Sequence, residues 1–269
     1  MYTKEDWYRG GRRKKSIRGW IYSLTAALFL ILAAAVLLAA KPPEKAAGRK
    51  LSAQSLRLFG RAGELMRDSE KERRLWTAQI KAPLVIIDAG HGGIDSGCLG
   101  RGGRVMEKDI NLEIALLVRD KLEEKGFRVM MPRETDEFLD KEERVEFANS
   151  FRAEAYVSIH QNTYEGKDKS IGGIETWYDG GDEARDSKAL ARCVHREAVK
   201  STGAKERSLI DSDTLYVLGK TLMPACLIET GFLSNPEECR SLSDTDYQEK
   251  MAEGIAKGIA EFILTKDSF

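Results

Sequence analysis

The sequence predicts an α/β fold with a mainly parallel central sheet and helices on both faces, preceded by one N-terminal transmembrane helix. From Leu84 onward, short apolar runs typical of buried strands alternate with amphipathic stretches typical of helices. Several of these runs end in glycine-rich turns or polar side chains, as strands of a parallel sheet commonly do. A stretch of 21 residues without a charge, from Trp20 to Ala40, predicts the membrane helix.

The N-terminal segments are assigned from charge and length. Residues 1–19 form a basic tail that we expect in the cytoplasm, because basic residues before a first span stay on that side. Residues 20–40 are long enough to cross a bilayer and exceed the apolar core of a signal peptide, about 7–15 residues. An uncleaved signal-anchor is therefore predicted, with a cleaved signal peptide as the alternative. Residues 41–82 begin with a helix-breaking Pro42-Pro43 and are predicted to form a charged, largely helical stalk.

In residues 83–269 the spacing of apolar residues and the positions of glycine, proline and capping residues predict the helices and strands. A strand over Leu84–Ile87 precedes a helix whose apolar stripe ends at Gly126. A second strand ends at Pro132, and Asp140 with Glu143 has the spacing of a helix capping box. The remaining predictions are strands at 155–160, 173–178, 215–218 and 225–229, helices at 184–200 and 247–263, and a turn or short helix at 235–236.

Composition argues against several classes of function. Lys and Arg (43) balance Asp and Glu (43), so no nucleic-acid partner is predicted. The cysteines form no CxxC pair, which indicates neither a zinc ribbon nor a disulfide framework. Cys98 lies close to a glycine-rich turn and is a candidate ligand, but a small buried thiol is the preferred interpretation. His195 lies in a helix rich in Arg and Lys and is predicted to be a surface residue without a role.

Three of the apolar runs end in side chains that bind metals. His91 follows the first run within Gly90-His91-Gly92-Gly93, His160 ends another, and Glu229 ends a third. If these strands are parallel neighbours, all three side chains reach one edge of the sheet, where open α/β sheets bind ligands. Two histidines and one carboxylate, with one position left for water, form a typical catalytic zinc site.

The identity of the carboxylate ligand is left open by spacing. Glu107 stands at the start of a helix after the glycine-rich loop and can fold back toward His91, but it also suits a simple helix N-terminal acid. Glu229 lies among apolar residues, where an acid needs a partner or a function. Because a ligated carboxylate is a poor proton shuttle, one glutamate should bind the metal and the other should act on water. We favour Glu107 as the ligand.

Four segments resemble the signature segments of the zinc-dependent N-acetylmuramoyl-L-alanine amidases. They are Val-Ile-Ile-Asp-Ala-Gly-His-Gly-Gly at 85–93, Glu-Lys-Asp-Ile-Asn-Leu at 107–112, Ser-Ile-His-Gln-Asn at 158–162 and Glu-Thr-Gly-Phe-Leu-Ser-Asn at 229–235. They occur in the order typical of the family and span roughly residues 83–266. The overall plan is similar to the membrane-anchored, single-domain members, including those that act on spore cortex. One departure is Ala89, where the family commonly has proline.

The resemblance implies an α/β catalytic domain over residues 83–269 that hydrolyses the amide between N-acetylmuramic acid and L-alanine of the peptidoglycan stem peptide. His91, Glu107 and His160 match the ligands of one Zn²⁺ ion, and Glu229 matches the catalytic carboxylate. With the predicted anchor, it implies a single-pass cell-membrane protein whose catalytic domain faces the wall. Whether a protein activator is needed stays open. The alternatives are a catalytically silent homologue that binds peptidoglycan or regulates a partner, and a zinc peptidase that cuts within the stem peptide.

Overall fold

The computed structural model describes residues 82–266. The strands are β1 Leu84–Ala89, β2 Leu99–Gly100, β3 Val105–Met106, β4 Arg128–Met130, β5 Ala155–Asn162, β6 Ile174–Tyr178, β7 Glu206–Asp211 and β8 Ala225–Phe232. The helices are α1 Glu107–Glu124, α2 Lys141–Asn149, α3 Ser187–Thr202, α4 Tyr216–Lys220, α5 Pro236–Leu242 and α6 Thr245–Lys266, with a 3-10 turn at Glu183–Arg185.

Six strands form one mixed sheet in the order β4-β1-β5-β8-β6-β7, and β2 pairs with β3 in a separate antiparallel ribbon. Strands β4, β1, β5 and β8 are parallel to one another. Strand β6 runs antiparallel to β8, and β7 is parallel to β6. The predicted mainly parallel sheet is confirmed. The parallel order brings the carboxyl ends of β1, β5 and β8 to one edge.

The two faces of the sheet pack against different helices. Side chains such as Ile87, Val157 and Ile228 point to one face, where α1, α3 and α6 enclose the larger core. Ile86, Tyr156 and others point to the opposite face and form a smaller core with α2 and α4. Because side chains alternate along a strand, Asp88, Ser158, His160 and Glu229 lie on this second face, beyond the smaller core. One sheet face therefore changes from apolar core to polar site along the strands.

Local signals placed most elements correctly. Helix α1 ends just before Gly126, whose φ of 85° is the left-handed conformation that glycine adopts readily. Helix α2 has the predicted capping box, in which Asp140 accepts from the Glu143 amide and the Glu143 side chain accepts from the Asp140 amide. Residues 236–242 form a short helix whose cap is Asn235.

The predicted strand before β8 is wrong, and strand β7 was missed. The predicted strand at 215–218 is instead the start of α4, in which Leu218 is buried in the smaller core. A four-residue apolar run cannot distinguish a strand from a buried helical turn. Strand β7 has a mixed, partly exposed sequence because it lies at the edge of the sheet, and so it has no apolar signal.

His195 was predicted to be a surface residue, and this is wrong. The side chain is buried on the inner face of α3, with Nδ1 3.0 Å from Thr176 Oγ1. It follows Ala191 by four residues and therefore lies on the same helical stripe, which the surrounding Arg and Lys residues obscured in the sequence.

The N-terminal tail, the span at 20–40 and nearly all of the stalk at 41–82 lie outside the described residues. Between residues 82 and 266, none of the helices combines the length and apolarity that crossing a membrane requires.

Helices α3 and α6 approach closely because α6 carries two glycines at the contact. A Cβ atom on Gly254 would lie 2.6 Å from the Glu197 carbonyl oxygen. A Cβ atom on Gly258 would lie 2.5 Å from the Cα of Val194. Both neighbours are backbone atoms of α3, which cannot move aside as a side chain can.

We therefore predict that Gly258→Ala lowers the free energy of unfolding by about 1–3 kcal/mol through overpacking. This is opposite to the gain of about 1 kcal/mol that alanine normally brings to a helix interior. Urea unfolding of both forms measures the difference. Lys257→Ala, at a half-exposed neighbouring position, is the control and should change stability by less than about 0.5 kcal/mol. A Gly258→Ala protein as stable as wild type would contradict the close helix contact.

Candidate metal centre and active site

Four polar side chains predicted from the sequence converge at the carboxyl edge of β1, β5 and β8. His91 lies two residues after the end of β1. Gly90, which lies between β1 and His91, donates its amide to the Ile159 carbonyl of β5 at 3.1 Å. His160 lies near the end of β5 and is in register with Glu229 on β8. Glu107 is the first residue of α1. Strand order and the start of one helix are sufficient to bring these residues together.

The Glu107 carboxylate is buried, with 1% exposure, between the two histidine rings. Its Oε1 lies 3.1 Å from His91 Nε2 and 2.9 Å from His160 Nδ1. The backbone amides of Gln161 and Cys98 donate to Oε1 and Oε2, respectively. Burial alone would raise the pKa of this carboxyl, but hydrogen bonds and charge from His160 and His91 outweigh it and lower the pKa. Glu107 is therefore an anion at neutral pH.

Asp95 orients the His91 ring through Nδ1, the ring nitrogen that does not face Glu107. Its Nδ1 lies 2.7 Å from Asp95 Oδ2, which leaves Nε2 directed at Glu107. Burial would lower the pKa of His91, but Glu107 and Asp95 raise it to about 9. A carboxylate that holds the second nitrogen of a ligating histidine is a common supporting feature of metal sites. Sequence reasoning missed Asp95, although its position four residues after His91 in a turn was the available signal.

The three side chains form a group that could hold a metal ion. One ligand atom from each of His91, Glu107 and His160 lies within 4.8 Å of the other two. Two imidazole nitrogens and one carboxylate oxygen are the donors that zinc and related ions accept in catalytic sites. The buried anion between two nitrogen donors fits a divalent cation in chemistry as well as in spacing.

Glu229 is adjacent to this group but does not belong to it. The side chain is partly exposed, yet its Oε2 is enclosed and has no hydrogen-bond partner among the described residues. On β6 the residue in register with Glu229 is a second acid, Glu175. Burial, then the negative charges of Glu107 and Glu175, raise the pKa of Glu229 to about 8. An unpartnered carboxyl with such a pKa is suited to accept and release a proton near neutral pH.

Cys98 contributes its backbone rather than its sulfur. Its amide donates to Glu107, while the half-buried thiol lies outside the three-residue ligand group. Burial and the charge of Glu107 raise the pKa of this thiol to about 12, so it stays protonated at neutral pH. Of the two alternatives, the metal-ligand role is not supported, and the thiol is less buried than expected.

A cleft of about 520 Å³ opens beside the two histidines on the second face of the sheet. Its floor is formed by Asp88, Ser158 and Leu227, and its walls are formed by residues 138–142 before and within α2 and residues 214–217 at the start of α4. Phe138 and Tyr216 are partly exposed aromatic side chains on these walls. The cleft gives a bound molecule access to His91 and His160.

A substitution at Gly97 tests the geometry of this site. Its φ is 62°, and an added Cβ would lie 2.5 Å from Glu107 Oε2 and 2.7 Å from the His91 ring. Gly97→Ala should therefore displace the Glu107 and His91 side chains and weaken the binding of added Zn²⁺ by at least about tenfold, in line with changes to residues that support metal sites. Chelator competition measures the affinity.

Gly102→Ala is the matched control, because Gly102 has a φ of 65° and nothing within 4 Å of an added Cβ. It carries the same backbone strain without the clash. Equal zinc affinities for the two variants would contradict the described packing around Glu107.

The raised pKa of Glu229 predicts a pH-dependent stability. Between about pH 4.5 and pH 8 the folded, metal-free protein keeps a proton that the unfolded chain releases. Wild type should therefore lose stability relative to Glu229→Gln as the pH rises through this window, by up to about 1.4 kcal/mol per pH unit. Urea unfolding of both metal-free proteins measures the difference, and a constant difference across the window would refute it.

Comparisons with known proteins agree with the site. A family model described as N-acetylmuramoyl-L-alanine amidase matches residues 85–261. The chain is 33% identical over 205 residues to the germination-specific N-acetylmuramoyl-L-alanine amidase of Bacillus subtilis, which covers 71% of this chain and 84% of that protein.

Solved structures are similar over a comparable share of the chain. The crystal structure of an N-acetylmuramoyl-L-alanine amidase from Clostridium difficile 630 is similar with a TM-score of 0.66 and 35% identity, over 69% of this chain and 98% of that one. The CwlD amidase of Clostridioides difficile, in complex with the GerS lipoprotein, has a TM-score of 0.63 and 36% identity, over 68% and 99% of the two chains. The chain therefore belongs to the N-acetylmuramoyl-L-alanine amidase family, whose fold it shares and whose metal-dependent chemistry its His–Glu–His group fits.

Proposed function

We propose that this amidase uses one Zn²⁺ ion held by His91, Glu107 and His160, with Glu229 as the catalytic carboxylate. The reaction is hydrolysis of the amide between the lactyl group of N-acetylmuramic acid and L-alanine of the stem peptide. The observation that carries the proposal is the contrast between two acids. Glu107 is enclosed by two imidazoles, whereas the adjacent Glu229 has an enclosed oxygen without a partner.

The ligand atoms follow from the hydrogen bonds. His91 would bind through Nε2, because Asp95 occupies Nδ1, and His160 would bind through Nδ1, which faces Glu107. Zinc bound there would lower the pKa of its water to about 7 and polarise the substrate carbonyl. Backbone amides of Cys98 and Gln161 hold the Glu107 carboxylate in place.

Glu229 is proposed to move the protons. It would accept a proton from the attacking water and donate it to the nitrogen that leaves with L-alanine. In the metal-free protein, burial and neighbouring acids raise its pKa to about 8. A nearby dication would lower that value toward neutrality, where the carboxyl can both accept and release a proton. The substrate amide would reach these groups through the cleft between α2 and α4.

We also propose a membrane location and a protein partner for this chain. The uncharged segment at 20–40 would anchor the chain in the cell membrane with the enzyme on the wall side, where tethering raises the local concentration of peptidoglycan. The CwlD amidase, to which this chain is similar, is found in complex with the GerS lipoprotein. We therefore propose a membrane-associated protein partner for this chain too.

The reaction is tested by its products. Purified protein with Zn²⁺ should release from peptidoglycan intact stem peptides that begin with a free L-alanine amine, as identified by mass spectrometry. Cuts only within the stem peptide would indicate a zinc peptidase instead. Wall binding without any release, in wild type and Glu229→Gln alike, would indicate a silent homologue.

The division of roles is tested by pairing activity with metal content. Glu229→Gln should retain zinc and lose about 10²–10⁴-fold in kcat, the usual contribution of a general acid–base group. His91→Ala and His160→Ala should lose zinc as well as activity, because each removes one of three ligands. A Glu229→Gln protein without zinc would reverse the proposed roles of the two glutamates.

A further inference from the structure

We propose that Arg144, held in place by the buried Asp88, is a positioning residue that sets zinc affinity by fixing the backbone of the His91 loop. The inference rests on the proposed metal site and extends it to residues that are not ligands of the metal. It stands on hydrogen bonds to main-chain carbonyls on both sides of His91.

Arg144 reaches from α2 to the loop that carries His91. Its Nη2 donates to the His91 carbonyl at 2.6 Å, and Nη1 donates to the Ala89 carbonyl at 2.8 Å. Nη1 also donates to Asp88 Oδ1 at 2.5 Å, and Nε donates to the Leu139 carbonyl at 3.2 Å. The planar guanidinium group thus bonds the end of β1, His91 and the segment before α2 at the same time. Lysine cannot reproduce this geometry.

Asp88 fixes the position of the Arg144 guanidinium group. Its carboxylate is fully buried and accepts hydrogen bonds from Tyr156 Oη at 2.6 Å and Ser158 Oγ at 2.9 Å, both on β5. Since β5 also carries His160, one carboxylate links the strand of the second histidine to the arginine that holds the first. A buried charge is tolerated when it is paired and hydrogen-bonded in this way.

The loop needs such support because it departs from regular structure. His91 has a φ of 59°, in the left-handed region that non-glycine residues adopt infrequently and at a cost in free energy. Two more cations hold the adjoining carbonyls. Arg133 donates to Ala89 and Gly90, and Lys108 donates to Gly93. Of these three cations, Arg144 alone bonds the carbonyl of His91 in the described residues.

A second buried arginine provides a matched control within the same protein. Arg185 donates to the carbonyls of Leu218 and Thr221 and to the carboxylate of Asp179 at 2.9 Å. Its side chain is 9% exposed, compared with 6% for Arg144. The two arginines therefore have the same kinds of partner and similar burial, but Arg185 bonds no part of the His91 loop.

The experiment compares Arg144→Lys with Arg185→Lys in the full-length protein, using the zinc ion alone as the probe. Chelator competition gives zinc affinity, and urea unfolding of the metal-free proteins gives stability. Both variants should lose stability, but only Arg144→Lys should bind zinc about 10–100-fold more weakly. The visible absorption spectrum of the cobalt-substituted protein should change for Arg144→Lys, since it reports ligand geometry, and stay that of wild type for Arg185→Lys.

Wild-type zinc affinity in Arg144→Lys, or an equal loss in both variants, would overturn the inference. If Arg144→Lys does not fold, Tyr156→Phe replaces it, because it removes one hydrogen bond from Asp88 and leaves Arg144 in place. Tyr156→Phe should then weaken zinc binding by several-fold, and unchanged affinity would overturn the inference.

Failure of the proposed reaction gives a different result. A wild type that cuts no muramoyl amide but shows the contrast between the two arginines would refute the reaction and leave the positioning role intact. A wild type that does not bind zinc would refute both.

Discussion

The site depends on one buried anion. The Glu107 carboxylate lies between two imidazoles and two backbone amides, with almost no contact with solvent. An ionised carboxylate is stable in such surroundings only when opposite charge or hydrogen bonds compensate for lost hydration. In the metal-free protein that compensation includes a proton on His91, whose pKa is raised to about 9. A divalent cation would replace the proton with a stronger and more directional partner, so the same anion serves both states.

The division of the sheet face explains how a stable core and a polar site share the same strands. Along β5, Tyr156 lies in the smaller core, Ser158 bonds the buried Asp88, and His160 reaches Glu107. Strand β8 repeats the order with Leu227 in the smaller core and Glu229 at the edge. The apolar ends of both strands pack under α2 and α4, which also form the walls of the cleft. The site is therefore carried on rigid strands rather than on loops alone.

Much of this arrangement was predictable from the sequence, because the proposed ligands follow or end strong apolar runs or begin a helix. The supporting residues were not. Asp95 and Arg144 act through contacts that depend on a left-handed turn and on the entry angle of α2, neither of which leaves a periodic signal. Strand β7 and helix α4 were not predicted for a related reason, because tertiary packing rather than local propensity decides their form. His195 shows the same limit, since a single buried imidazole among cations resembles a surface residue.

The central claim is that Glu107 binds the metal and Glu229 does not. A crystal structure of the zinc-loaded protein, with anomalous scattering recorded at the zinc edge, tests it most directly. The account predicts one ion bound by His91 Nε2, His160 Nδ1 and the Glu107 carboxylate, with Glu229 beside it but not bonded to it. An ion bound by Glu229, with Glu107 outside the ligand shell, would contradict the account.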